Sequence, residues 1–522
     1  MASLQRAMEQ VVERNAALRS TFSADGQQVI VHDEARFGFE LLDWSGEARA
    51  DLPALELETV QRLACTPFDL VNGPLLRFVV QKMDDSNHKI TFSAHHIILD
   101  GWSLWVLCRD LGHFYDVLSG VEVEPLPPAH QYSDYAKAME EYFVSEEGQK
   151  DEAYWVEQFS DSIPVLDLPT ENRRPNVRSY FGRRYDHVFS SDLIEKVRKI
   201  GAKSGCSLYN IMLAAFNAYV SRLSGNDDFC VGIPTAGQAA MDQTELIGHC
   251  VNTLPFRTQI DTSSSFTDYM KQVRTELLNA LDHQRYSYGT LLRKLAPPRD
   301  PSRPPMLSIS FNIDPVIDAS QMGFEGLDVA VAVEPRSFEN FEWFINGVIQ
   351  TDKSVEMQVQ YNADLYSTNS MQFYFEGFAA FLNAIAAQPE ASIVDLPVMS
   401  VPQRQQVIVD WNETTMEYPL DATLDSEFSR QATETPEKIA VRFKDTELTY
   451  AEVETRSNKI ARYLQSQGVK AGDLVGICVE RSERMLVYLY GLLKSGRLLH
   501  GVQKVNNRTV RNLHALRLAR RS

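Results

Sequence analysis

The segment from Lys89 to Leu118 passes directly from a strand pattern into a helix pattern, and this junction is the feature that most limits the fold. Residues Lys89–His96 follow the pattern of the second strand of a pair whose first strand is Leu75–Lys82. From Trp102 onward the apolar residues recur at helical spacing. Strand and helix patterns alternate through most of the remaining sequence. We therefore predict a mixed α/β (α+β) architecture.

The length, charge and cysteine content of the chain exclude several classes of protein. A sequence of 522 residues exceeds one ordinary domain. The formal net charge of −19 opposes binding to phosphate backbones, so we expect no nucleic-acid partner. The six cysteines include no close CxxC pair, which indicates free thiols in a reducing compartment, and no apolar stretch is long enough to span a membrane. We expect a monomeric cytoplasmic protein.

The run HHIILDGWS, residues 95–103, places acid–base groups at the strand–helix junction. A histidine there can accept a proton near neutral pH. Asp100 lies where it can cap the following helix, and we expect it to pair with an arginine, while Gly101 leaves room beside the backbone. Two other interpretations stay open: histidines that are only packed or exposed, and a metal site at His95, His96 and Asp100. Adjacent residues of a strand point to opposite faces, which disfavours the metal site.

The same run resembles the HHxxxDG signature of the condensation domains of nonribosomal peptide synthetases, in the chloramphenicol-acetyltransferase-like superfamily. Other stretches resemble further motifs of that family in the same order, over about residues 1–395. They are ERNAALRSTF, with Asn15 in place of a family histidine, VGIPTAGQ, with Gln238 in place of a family arginine, IGHCVNTLPFR, and RDPSRPPMLSISFNI. The segment from WNETTMEYPL to YLYGLLKSG resembles the beginning of an amino-acid adenylation domain.

These resemblances predict a domain order with two departures from the families. The family motif containing SxAQ is not found upstream of ERNAALRSTF, so we expect a strand and a helix of the first lobe to be missing. The phosphate-binding loop of an adenylation domain is also not found, so we expect no ATP-dependent activation of amino acids. The predicted parts are residues 1–165, the N-terminal lobe of a condensation domain; 166–180, the connection; 181–395, the C-terminal lobe; 396–425, a linker; 426–496, an incomplete adenylation segment; and 497–522, a basic tail that matches neither family.

The resemblance implies a fold and a reaction. Two chloramphenicol-acetyltransferase-like lobes would form a V-shaped pseudo-dimer with the active site in a tunnel between them, followed by a partial adenylation-type α/β segment. Condensation domains form an amide bond between a donor acyl or peptidyl thioester and an acceptor amine. Both reactants would arrive on phosphopantetheine arms of upstream and downstream peptidyl carrier domains, so the chain itself would hold no cofactor and no metal. A carrier-docking remnant without activity and a coenzyme A-dependent acyltransferase are the alternatives.

The resemblance also assigns roles to individual residues. His96, the second histidine of the signature, is the catalytic candidate, which would take the proton of the amine or hold the amine in line for attack. Asn312 is a weaker candidate for a polar contact in the cleft and could equally be an ordinary asparagine at a strand end. The other candidates are His95 and Asp100, which would support the site, Gly101, which would keep the tunnel open, and Arg14 and Arg19, as partners of Asp100.

Overall fold

The computed structural model describes residues 1–315, 321–470, 473–477, 479–496 and 498–501. The chain divides into two compact units, Met1–Trp411 and Asn412–Ser522, and the division falls inside the segment predicted as a linker. Within the described ranges, no helix is long and apolar enough to cross a membrane. The predicted basic tail lies outside the described residues except for 498–501.

The first part of the unit Met1–Trp411 combines a small sheet with helices. Its helices are α1 (Ala2–Arg14), α2 (Leu52–Cys65), α3 (Gly101–Leu118), α4 (Tyr132–Val144) and α5 (Glu146–Glu157), and its strands are β1 (Ser20–Phe22), β2 (Val29–Val31), β3 (Gly38–Asp43), β4 (Leu76–Lys82) and β5 (His88–Ala94). Strand β4 lies between β3, which is parallel to it, and β5, which is antiparallel. Helices α1 and α3 contribute Val11 and Leu107, both at 0% exposure, to one apolar core with Phe78 of β4.

Two boundaries in this part differ from the sequence prediction. Strand β5 ends at Ala94, because the backbone turns at His95, whose carbonyl accepts a hydrogen bond from the Ile98 N–H at 3.1 Å. His95 and His96 therefore lie in a turn and not on the strand. The predicted single helix from Tyr132 to about Phe159 is instead two helices, because Ser145 adopts an extended conformation and its Oγ caps α5.

The second part of this unit is organised around one large sheet. Its helices are α6 (Ser191–Lys203), α7 (Leu208–Ser224), α8 (Gly237–Ala240), α9 (Phe266–Asp282), α10 (Tyr288–Leu295), α11 (Thr368–Ala387) and α12 (Val401–Ile408), and its strands are β6 (Gly182–Phe189), β7 (Asp228–Ala236), β8 (Val251–Gln259), β9 (Ile309–Asp314), β10 (Trp343–Ile349) and β11 (Val355–Asn362). In the described part of the chain, these six strands form one sheet in the order β6-β11-β10-β9-β7-β8. Helix α7 is buried continuously from Ile211 to Ser221, as expected for a helix that is apolar on most of its faces. The predicted mixed α/β class is confirmed.

The second unit contains its own small core. Its helices are α13 (Leu424–Glu434), α14 (Tyr450–Ser466) and α15 (Glu483–Lys494), and its strands are β12 (Ile439–Phe443), β13 (Thr446–Thr449), β14 (Leu474–Ile477) and β15 (Leu498–Gly501). Strands β12 and β13 form the antiparallel pair that their sequence predicts. Phe428, Val453 and Val487 bring the three helices together over this pair. Strands β14 and β15 are parallel.

Candidate functional site

The two histidines of the HHIILDG run occupy different environments in the turn between β5 and α3. The His95 Nδ1 accepts a hydrogen bond from the Ile97 N–H at 3.1 Å, and its ring packs edge-on against Phe68 at 6.0 Å between centroids. Burial, with a smaller contribution from neighbouring His96, lowers the pKa of His95. His96 is exposed. His95 is therefore held by the protein, while the His96 ring is accessible to a reactant.

Asp100 connects the start of α3 to the second part of the unit. Its Oδ1 accepts hydrogen bonds from the Ser103 N–H at 2.9 Å and the Ser103 hydroxyl at 2.7 Å, which is the predicted helix cap. Its Oδ2 accepts from the backbone N–H groups of Cys250 at 2.9 Å and Val251 at 3.0 Å, at the beginning of β8. The Gln238 amide donates to both carboxylate oxygens at 3.0 Å. Neutral donors from two distant segments thus surround a carboxylate that is only 2% exposed.

The predicted pairing of Asp100 with Arg14 or Arg19 is wrong. The Arg14 Nε donates to Asp110 at 2.9 Å, and Arg19 donates to the backbone carbonyl of His32. Arg14 ends α1, which packs along α3, and Asp110 lies about 15 Å farther along α3 than Asp100 at 1.5 Å per residue. Each arginine is therefore occupied away from the HHIILDG turn.

Gln238 and His249 belong to the site and were not predicted as members of it. Gln238 is fully buried against Asp100, and its sequence signal was the replacement of the family arginine, although its partner could not be deduced. His249 lies beside the candidate catalytic histidine, with 3.1 Å between its Nδ1 and the Nδ1 of His96. The two rings are 5.0 Å apart between centroids and nearly perpendicular. Because 153 positions separate the two histidines, no local pattern could reveal the contact.

Gly101 and Asn312 have different surroundings. A Cβ atom added to Gly101 would meet nothing within 4 Å, so space is open beside this position. The Asn312 amide lies on β9 and donates to Asp314 at 2.7 Å and to Asn346 of the neighbouring strand at 3.0 Å. Asn312 and Asn346 lie inside β9 and β10 and are paired in the register of these strands. The assignment of Asn312 to the cleft stays a prediction.

The described residues around the HHIILDG turn differ from a typical metal centre. Over the described ranges, no three His, Cys, Asp or Glu side chains are grouped so that they could hold a metal ion. A small cavity next to the segment that carries His249 is lined by residues that include Tyr135, Gly237 and Cys250. The arrangement offers an exposed imidazole, His96, beside a second imidazole, His249.

Comparison with known protein families agrees with the predicted order of domains. The Condensation domain family matches residues 1–408, and the AMP-binding enzyme family matches residues 428–505. Gramicidin S synthase 2 of Brevibacillus brevis is 31% identical over 495 residues, which are 94% of this chain and 11% of that protein. Tyrocidine synthase 3 of Brevibacillus parabrevis is 31% identical over 494 residues, which are 94% of this chain and 7% of that protein. The chain thus spans only 7–11% of the length of these two curated relatives.

Solved structures share the fold at low sequence identity. A four-domain nonribosomal peptide synthetase bound to AMP and glycine has a TM-score of 0.72 and 20% identity, covering 96% of this chain and 38% of that chain. VibH, a nonribosomal peptide synthetase condensation enzyme, has a TM-score of 0.62 and 18% identity, covering 74% of this chain and 88% of that chain. The resemblances found in the sequence and the predicted fold class are confirmed.

Proposed function

Since the chain belongs to the condensation-domain family, we propose that its first unit, Met1–Trp411, forms an amide bond between two carrier-bound thioesters. The observation that carries the proposal is the exposed imidazole of His96, which meets His249 of a distant segment at 3.1 Å. We infer that residues 1–165 and 181–395 are the two lobes, because the sheet containing β5 lies in the first range and the large sheet lies in the second. The site then lies where groups of both lobes meet.

In the proposed reaction, the acceptor amine attacks the carbonyl carbon of the donor thioester. The new C–N bond forms as the C–S bond breaks, and the proton of the amine passes to the departing thiolate by way of His96. Base assistance of this kind contributes roughly 10²–10⁴-fold. Tethering of both reactants contributes proximity as well, with effective molarities that can reach about 10⁵ M or more. His96 therefore needs to supply only part of the acceleration.

The other residues of the run support His96 in this proposal. His95 holds the turn through its bond from the Ile97 N–H, and Asp100 fixes the position of the α3 start against the β8 start. Gly101 leaves space for the reactants, as its open surroundings allow. Upstream and downstream peptidyl carrier domains would deliver the phosphopantetheine-linked substrates in the cytoplasm to a monomeric chain.

The test is a condensation assay with two loaded carrier domains. The complete chain is mixed with a donor aminoacyl carrier and an acceptor aminoacyl carrier, and the dipeptidyl thioester is followed by mass spectrometry. We expect product from the natural chain and a loss of about 10²-fold or more in His96→Ala. His88→Ala is the matched control, because His88 is an exposed histidine at the other end of β5.

Three outcomes would contradict the proposal. Binding of the carriers without product supports a docking module. Turnover with free acyl-coenzyme A and a soluble amine, without product from the loaded carriers, supports a coenzyme A-dependent acyltransferase. Product that persists undiminished in His96→Ala removes His96 from the mechanism.

A further inference from the structure

His249 is fixed beside His96 by backbone bonds on both sides of it. The N–H of Gly248 donates to the Ser103 hydroxyl at 3.0 Å, and that hydroxyl is also within 2.9 Å of the Gly248 carbonyl. On the other side, the N–H groups of Cys250 and Val251 donate to Asp100. The backbone of residue 249 is thus attached to the first turn of α3, which begins a few residues after His96 in the chain. These bonds therefore fix the backbone from which the His249 side chain extends toward His96.

The contact restricts where the protons of the two rings can lie. The two Nδ1 atoms are 3.1 Å apart, so a hydrogen bond between them requires one to be protonated and the other to present a lone pair. If His249 donates, His96 must carry its proton on Nε2 and cannot act as a base there. If His96 donates, its Nε2 presents a lone pair. Only the second arrangement suits a histidine that receives the proton of an amine.

The surroundings of the His249 ring are compatible with the second arrangement. His96 and His249 are both exposed. The protein atoms that surround the His249 ring nevertheless lower its pKa, and the nearby His96 lowers it further. Asp100 and the backbone of His96 act in the opposite direction and raise this pKa, and His95 lowers it further. The lowered pKa disfavours the charged form of His249, and a neutral ring can accept a hydrogen bond from His96.

We propose that His249 is a positioning residue whose Nδ1 accepts a hydrogen bond from the Nδ1–H of His96 and so directs the Nε2 lone pair of His96 toward the acceptor amine. The pairing itself is independent of the reaction, whereas its catalytic consequence rests on the proposed function. His249 touches neither substrate in this scheme. During the reaction the proton moves from the amine to the His96 Nε2 and on to the donor thiolate, while the bond between the rings stays intact.

Two variants of His249 separate this role from a merely structural one. His249→Asn keeps an acceptor, because the Asn Oδ1 occupies nearly the same position as the histidine Nδ1. His249→Leu has a shape similar to that of asparagine but no acceptor. Both variants leave the backbone bonds at Gly248, Cys250 and Val251 in place, since those bonds involve only main-chain atoms of this segment. Thermal unfolding of each variant confirms that it folds.

The first readout is the tautomer of His96, measured by ¹⁵N NMR on the complete chain with ¹⁵N-labelled histidine. The His96→Ala spectrum identifies the signals. We expect the Nδ1–H form in the natural chain and in His249→Asn, and a shift toward the Nε2–H form, which an unpartnered imidazole prefers, in His249→Leu. An Nε2–H form of His96 in the natural chain, or an unchanged spectrum in His249→Leu, would overturn the proposal.

The second readout is product formation from the two loaded carriers. We expect His249→Leu to lower kcat by roughly 10–100-fold, the range known for loss of a group that orients a metal-bound histidine, and His249→Asn to recover most of that loss. Equal rates for His249→Leu and the natural chain overturn the catalytic role. If the natural chain has the expected tautomer but yields no product, the pairing is upheld and the proposed function fails.

Discussion

Asp100→Asn should break the hydrogen bonds of residue 100 either to the start of β8 or to the start of α3, although it replaces only one oxygen by an NH₂ group. In the natural site every neighbour of the carboxylate is a donor: Ser103 on Oδ1, Cys250 and Val251 on Oδ2, and Gln238 on both. If the new NH₂ group takes the Oδ2 position, it faces two backbone N–H groups. If it takes the Oδ1 position, it faces the Ser103 N–H and hydroxyl. Either orientation leaves buried donors without an acceptor.

The size of the effect follows from the number of donors left without a partner. A buried donor that loses its acceptor costs about 1–3 kcal/mol. Loss of the two donors at one oxygen, either Cys250 and Val251 at Oδ2 or the Ser103 N–H and hydroxyl at Oδ1, therefore costs about 2–6 kcal/mol. The whole stability of a protein is usually only about 5–15 kcal/mol. At 1.4 kcal/mol per factor of ten, protection against exchange should fall between about thirtyfold and twenty-thousandfold at the amides that lose their acceptor.

The assay is hydrogen–deuterium exchange at the amides of residues 103, 250 and 251. Asp116→Asn is the matched control, because Asp116 is another buried aspartate of α3, whose Oδ1 accepts from the Glu325 N–H at 2.8 Å. Asp116→Asn should leave the amides of Ser103, Cys250 and Val251 protected. Unchanged exchange at all three amides in Asp100→Asn would refute the role of Asp100 as their buried acceptor.

Two further predictions concern packing and pH. Gly112→Ala should lower the melting temperature and reduce the free energy of unfolding by roughly 1–3 kcal/mol, because the new Cβ would lie 1.8 Å from the Met322 carbonyl oxygen. Gly101→Ala is the control and should leave the melting temperature unchanged, because its Cβ would meet nothing within 4 Å. Burial lowers the pKa of His187, so the folded state resists its protonation and loses stability as the pH falls through the unfolded value of about 6.5. His187→Phe should reduce the fall in melting temperature between pH 7.5 and 5. Equal falls in the natural chain and in the variant would contradict this.

Local patterns were sufficient to predict the elements of the fold and one half of the site. The helical spacing after Trp102 predicted α3, and the position of Asp100 before it predicted the helix cap that the structure contains. Hydrogen bonds that close over three or four residues depend mainly on nearby sequence, and for that reason such predictions succeed. The exact end of β5 could not be predicted, because apolar residues on either side of Ala94 fit a strand equally well.

The other half of the site depends on contacts that no local pattern encodes. Gln238 and Cys250 lie 138 and 150 positions from Asp100, and the sequence analysis proposed Arg14 and Arg19 as the partners instead. The expectation of an arginine was reasonable because a buried carboxylate usually has a cationic partner. In this chain two backbone N–H groups, a helix cap and one amide satisfy the carboxylate instead.

This arrangement separates what the fold requires from what the chemistry requires. Asp100 binds Cys250 and Val251 through their main-chain N–H groups, which any residue except proline can supply. The backbone bonds therefore fix the location of residue 249 without restricting its side chain. A histidine there is not needed to close the contact between α3 and β8, and its ring lies against His96. Substitutions at 249 can accordingly alter the proton arrangement of His96 at little cost in stability, while substitutions at Asp100 disturb both.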